Sequence, residues 1–165
     1  MTEFEESSGT PMQPFDRQRA EAFAERLVDV LNGGALALMT SIGHRTGLFD
    51  AMAGLPPSSS ERIASAANLD ERYVREWLAA MVVGRIVEHD PEDGTYRLPP
   101  EHAGFLTRAA SPDNIAVTAQ FIPLMGSVED PIVESFRNGG GVPYSAFHFE
   151  ILSKPHLGCL EQKRG

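Results

Sequence analysis

From Asp16 onward, the apolar residues Ala20, Phe23, Ala24, Leu27, Val28 and Leu31 recur at steps of three and four, the spacing that places side chains on one face of a helix. Asp16 is a good N-cap for it. Asn32-Gly33-Gly34 then punctuates the pattern. The following run, Ala35 to Ile42 (ALALMTSI), is apolar on nearly every side and predicts a helix buried at the centre of the domain or against another subunit. Gly47 is placed as its C-terminal stop, and Leu48-Phe49-Asp50-Ala51-Met52 makes a further short turn of helix.

Pro56-Pro57 breaks the periodicity, and Ser58 with Glu61 three positions on gives a capping-box signal for a short helix carrying Ile63, Ala64 and Ala67. The next helix has Asp70 as its cap, with Leu69 and Val74 at the spacing of a hydrophobic staple. Val74, Trp77, Leu78 and Met81 mark its buried face. Gly84 ends it. Two β-prone runs, from Ile86 to Leu98, then flank a turn containing Asp93-Gly94, which reads as a hairpin. Two short helices joined by a tight turn and followed by a hairpin make a winged helix, and Pro99-Pro100 closes the unit.

Beyond it, Ser111-Pro112-Asp113 is a helix start with serine as cap and proline at the first position, and Ile115, Ala119 and Ile122 lie on one face. Pro123 kinks or ends that helix. A last helical run, about Ser127 to Asn138, carries Val128, Ile132, Val133 and Phe136 and leads into Gly139-Gly140-Gly141. The fold class is therefore mainly α, a winged helix-turn-helix with a small β hairpin and extra N- and C-terminal helices. It divides into an N-terminal arm (1–15), a winged-helix domain (16–110), a helical linker (111–150) and an irregular tail (151–165).

The chain has 165 residues, which is room for one ordinary domain and no second core of comparable size. The formal net charge is -9, although Lys154, Lys163 and Arg164 against Glu161 leave the last fifteen residues at +2. An acidic surface repels a polyphosphate. Met1 to Pro14 lacks the basic start and apolar run of a signal peptide, and no stretch approaches the ~18 apolar residues that span a bilayer. The expected location is the cytoplasm. Cys159 is the single cysteine and forms no internal disulfide, which fits a reducing compartment.

The stretch Gly47 to Leu106, with GLFDAMA, LDERYVREWLAAM and the wing ending YRLPPEHA, resembles the N-terminal winged-helix region of class I S-adenosylmethionine-dependent methyltransferases. The resemblance is to a bacterial group of them, some of whose members bear the name of transcriptional regulators. It extends from about Ala24 to Phe149. It implies a dimerisation and substrate-covering domain, homodimers, and a Rossmann-like catalytic domain further on that holds the cofactor and methylates a small-molecule acceptor. NGGGVPYSAF (138–147) is similar to the link entering that second domain. There the family continues to an acidic-x-Gly-x-Gly loop. This sequence instead reads ILSKPHLGCLEQKRG after Glu150, so the expectation is a chain ending before the methyl-donor domain, with no cofactor site of its own and inactive alone.

Each candidate site has a plainer alternative. A cofactor loop needs glycines between a strand and a helix, whereas Gly139-Gly140-Gly141 follows a helix and precedes Val142-Pro143, so helix termination and a flexible joint is the preferred reading. Tyr144 and Phe147 are candidates for lining a substrate cavity. Under the alternative function, a DNA-binding regulator, Arg72, Arg75 and Arg97 are the contacts. Against them stand Asp70, Glu71 and Glu76 on the helix, and Glu88, Asp90, Glu92 and Asp93 on the wing, where phosphate should meet positive charge. The histidines 44, 89, 102, 148 and 156 are scattered singly, so no metal is expected. No nucleophile motif is present, and no catalytic residue is assigned. The helix 35–42 is the candidate surface for a homodimer.

Overall fold

The computed structural model describes residues 14–147. The N-terminal arm before residue 14, and the tail with His148, His156 and Cys159, lie outside the described residues. The chain divides into two compact units between Asn32 and Gly33.

Asp16 caps helix α1 (Arg17–Thr46), which begins in the first unit and continues into the second, its carboxylate accepting from the Arg19 N–H at 3.0 Å. The helix does not stop at Asn32-Gly33-Gly34 as the punctuation predicts; it passes through. Glycine costs a helix about 1 kcal/mol relative to alanine but removes no backbone hydrogen bond. A propagating ladder therefore tolerates the pair where a proline would have ended it.

The second unit contains the core. After Gly47, left-handed at φ 77°, come α2 (Leu48–Ala53), α3 (Ser60–Ala67), α4 (Glu71–Val83), strands β1 (Glu88–Asp90) and β2 (Thr95–Arg97), and α5 (Pro100–Leu106). Then follow 3-10 turns at Arg108–Ala110 and Ile115–Gln120, helices α6 (Phe121–Gly126) and α7 (Glu129–Asn138), and a 3-10 turn at Tyr144–Ala146. Leu48, Phe49, Met52, Ile63, Val74, Trp77, Leu78 and Met81 form one buried cluster with Val87, Leu98 and Leu106. The apolar face expected of α4 is thus the face it buries.

The helix-turn-helix is closed by its caps. Asp70 accepts from the Arg72 N–H at 3.0 Å, and Asn68, at φ 54°, ends α3 with its N–H on the Ser65 carbonyl and the Leu69 N–H on that of Ala64. The cap of α3 is Ser59, not Ser58. Ser58 instead exchanges two backbone hydrogen bonds with Tyr96, at 2.8 and 3.1 Å, and so adds a bridge to the hairpin. Glu88 pairs with Arg97, His89 with Tyr96 and Asp90 with Thr95. The Asp90 carboxylate accepts from the Glu92 N–H at 2.9 Å, and Gly94 takes the left-handed position of the turn at φ 65°.

Gly84 ends α4 for a reason other than conformational freedom. Its φ is -74°, and a Cβ there would lie 2.4 Å from Leu36 Cδ1. The left-handed residue is Arg85, at φ 57°, whose N–H reaches the Val82 carbonyl while that of Ile86 reaches Met81. A side chain in this conformation costs about 1 kcal/mol that glycine avoids. Arg85→Gly is therefore expected to stabilise the domain by about 0.5 kcal/mol after glycine's larger unfolded-state entropy is counted. An unchanged or lower urea midpoint would contradict this.

Two proline readings change as well. Pro99-Pro100 does not merely close the wing, because Pro100 opens α5 at the first helical position, where its missing N–H is harmless. Ser111–Pro112 is a cis peptide bond and does not start a helix. The cap is Asn114, whose side-chain oxygen accepts from the Ala116 N–H at 3.0 Å. The face buried from this segment is Ala116, Gln120, Leu124 and Val128, while Ile115 and Ile122 are exposed.

Candidate functional site

Residues 35–42 were expected to be buried at the centre of the domain or against another subunit, and within the single chain only one face of them is covered. Trp77 Nε1 donates to the Met39 carbonyl at 2.8 Å, Leu36 meets Gly84, and Ser41 is buried, so residues 33–46 of α1, themselves part of the second unit, pack one face on its core. Leu38 and Ile42 stay 41% and 39% exposed. Their steps from Leu27 and Leu31 are four, seven and four, which put all of them on one face of an α-helix. Leu27 and Leu31 are themselves 45% and 65% exposed, and Phe23 64%. The apolar stripe of α1 thus faces solvent.

The three arginines named for DNA are engaged elsewhere. The Arg72 guanidinium lies over the Tyr73 ring, 6.0 Å from its centroid, and Arg75 pairs with Glu71 at 3.7 Å. Arg97 is held across the hairpin by Glu88, with Nε 3.0 Å from the carboxylate, and that hydrogen bond raises its pKa further. An open hollow beside the wing is lined by Glu88, Asp90, Glu92 and Asp93, with Arg97 among them. Those carboxylates lie where DNA phosphates would approach a wing.

Tyr144 and Phe147 come together, with ring centroids 6.4 Å apart, and Tyr144 is 76% exposed. Nearby in sequence, Ile132, Ser135, Phe136, Gly141 and Val142 line a shallow apolar hollow of about 420 Å³. No residue of α7 is buried, and Phe136 is among its exposed residues. Phe136 was not singled out from the sequence. Its helical spacing was visible, but spacing does not tell which face meets solvent.

Gly139, Gly140 and Gly141 all have positive φ, of 73°, 94° and 72°, and stand in open space. The element immediately before them is the helix α7 and not a strand, which differs from the strand-to-helix cradle of a nucleoside cofactor. The β structure among the described residues is the hairpin with its Ser58 bridge. The described histidines take structural places: His89 stacks on Tyr96 at 4.5 Å, His102 Nδ1 is 2.8 Å from the Ile86 carbonyl, and the His44 carbonyl accepts from Arg108, which also pairs with Asp50. Among the described residues, no three His, Cys, Asp or Glu side chains group to hold a metal ion, and no helix is long and apolar enough to cross a membrane.

Residues 34–108 match the Rv2258c-like winged HTH domain. No curated protein matches the chain. The winged HTH domain and its flanking helices share their fold with solved methyltransferases. Human N-acetylserotonin methyltransferase in complex with SAM aligns at 18% identity and TM-score 0.59, over 87% of this chain and 40% of that one. The mitomycin 7-O-methyltransferase MmcR aligns at 23% and 0.58, over 75% and 37%. The riboflavin-type dimethyltransferase RosA from Streptomyces davawensis aligns at 25% and 0.60, over 81% and 40%. The chain thus spans two fifths or less of the length of these proteins. The fold is the one the motifs GLFDAMA and LDERYVREWLAAM imply.

Proposed function

We propose that this chain is the dimerisation and substrate-covering region of an S-adenosylmethionine-dependent methyltransferase-type protein. Residues 16–110 pair two copies, and 111–150 lead towards the part that holds the methyl donor. The observation that carries this reading is the solvent-facing apolar stripe of α1 on a winged helix whose Arg72, Arg75 and Arg97 are engaged by neighbouring side chains. A continuous apolar stripe of this kind in an acidic chain marks a protein contact.

The area is sufficient. Phe23, Leu27, Val28, Val30, Leu31, Leu38 and Ile42 are all exposed. At roughly 80 Å² each, two copies bring together about 1,100 Å², close to the lower bound of specific interfaces. Charge does not oppose the contact: Arg17, Arg19 and Arg26 balance Glu21, Glu25 and Asp29 within a chain of net charge -9. Tyr144, Phe147 and the apolar hollow beside Phe136 supply a surface suited to an uncharged, ring-bearing methyl acceptor. The names of the aligned methyltransferases include acceptors of that kind.

The test measures the mass in solution and the heat of titration with S-adenosylmethionine on one sample. A dimer and no heat are expected. Stoichiometric heat would mean that this chain alone forms a cofactor site, and a salt-sensitive shift of duplex DNA would turn the reading towards a regulator. In a two-fold dimer each substitution counts twice. Leu31→Glu is therefore expected to raise the dimer dissociation constant about a hundredfold, and unchanged sedimentation would remove α1 from the interface.

A further inference from the structure

We infer that the phenyl ring of Phe23 from one copy seats in a groove of the second copy, between α1 and the 3-10 turn at Ile115–Gln120. This rests on the dimer reading above and adds its geometry. The groove has a volume of about 320 Å³, and small residues, Gly33, Ala37, Ala116 and Ala119, make up much of its lining, with Leu36 and Ile115 beside them. Its hydroxyl, on Thr40, is committed to the Leu36 carbonyl at 2.9 Å. A groove that offers water so few partners is better filled by an apolar group than by solvent. A Cβ at Gly33 would meet nothing within 4 Å, so the missing side chain leaves that wall open to an incoming one.

The occupant is a second copy for three reasons. Phe23 is the largest apolar side chain of α1 and is 64% exposed. The stretch carrying it is electrically neutral within an acidic chain, so it approaches another copy without the repulsion the rest would meet. And the contact closes on itself: if Phe23 of one copy meets residues 33–40 of the other, two-fold symmetry returns the same contact. The two α1 helices then run antiparallel and cross between residues 23 and 33, which brings Val30, seven residues from both Phe23 and Ala37, to the crossing.

The experiment is disulfide trapping in a Cys159→Ser background. Phe23→Cys with Ala119→Cys is expected to give a covalent dimer under mild oxidation, whereas Phe23→Cys with Val83→Cys, on the exposed side of α4, is not. Ala119 is only partly buried, so Ala119→Trp should fill the groove without entering the core. It is expected to raise the dimer dissociation constant about tenfold at an unchanged midpoint of unfolding for the diluted monomer. A dimeric mass without trapping, or a disulfide within one chain, overturns the groove contact and leaves the dimer standing. A monomeric mass for the unmodified chain overturns both.

Discussion

Gly43→Leu is expected to leave no folded protein at 25 °C, and Gly43→Ala to lower stability by about 2 kcal/mol, while Gly34→Ala on the same helix raises it by about 1 kcal/mol. A Cβ at position 43 would lie 2.4 Å from Trp77 Cζ2 and 2.8 Å from Phe49 Cε2. Both rings are buried, at 2% and 0% exposure, and pack edge to face with centroids 5.2 Å apart. Neither can turn aside without displacing the other. Alanine therefore forces α1 away from α4, and the packing lost outweighs its better helix propensity. Leucine adds three further carbons to the same gap, more than a domain with a stability of about 5–15 kcal/mol absorbs. At Gly34 a Cβ meets nothing within 4 Å, so only the propensity term remains. Urea midpoints of the three variants at one protein concentration decide the matter. A Gly43→Ala variant as stable as the parent would show that α1 and α4 are not in close contact.

The glycines show where residue patterns stop being informative. Apolar spacing located the helix-turn-helix, because Ile63, Val74, Trp77, Leu78 and Met81 have one face to bury and one core to bury it in. Spacing does not distinguish a glycine that ends a helix from one that lets another helix approach. Gly33 and Gly34 looked like a stop and are not; Gly84 was placed as the end of α4 and is, but it is also a point of contact with Leu36. Prolines are ambiguous in the same way, since Pro100 opens a helix and Pro123 is accommodated in the first turn of α6. The face presented by residues 115–126 was not legible because Ile115 and Ile122 also fit one helical face, while the side that is buried, Ala116, Gln120 and Leu124 at steps of four, carries a small residue and a polar one. At the candidate DNA site more was legible: Glu71–Arg75 is an i, i+4 pair, and Glu88–Arg97 follows from the hairpin register. The exposed stripe of α1 was half legible. Its periodicity was plain, but only the packing of Leu36 and Met39 on the second unit's core shows which side remains uncovered.

Trp77→Ala is expected to cost about 3–5 kcal/mol, and Trp77→Phe no more than about half of that. The indole lies over Gly43, against Phe49, and its Nε1 donates to the Met39 carbonyl at 2.8 Å. It therefore joins α4 to α1 in two ways, by volume and by a hydrogen bond, and the two substitutions separate them. Met39 lies inside α1, where its carbonyl keeps an intrahelical donor when the indole is removed. No buried acceptor is orphaned, and the lost hydrogen bond contributes only about 1 kcal/mol. The larger share is the cavity, which the rings around it cannot fill by collapse because Phe49 and Leu78 are themselves fully buried. Phenylalanine keeps most of that volume. Trp77 is the single tryptophan, so unfolding of the variants is followed by far-UV circular dichroism, at a fixed protein concentration because any association between copies would add to apparent stability. If Trp77→Phe proves as damaging as Trp77→Ala, the hydrogen bond to α1, and not the filling of the space above Gly43, is what joins the two helices.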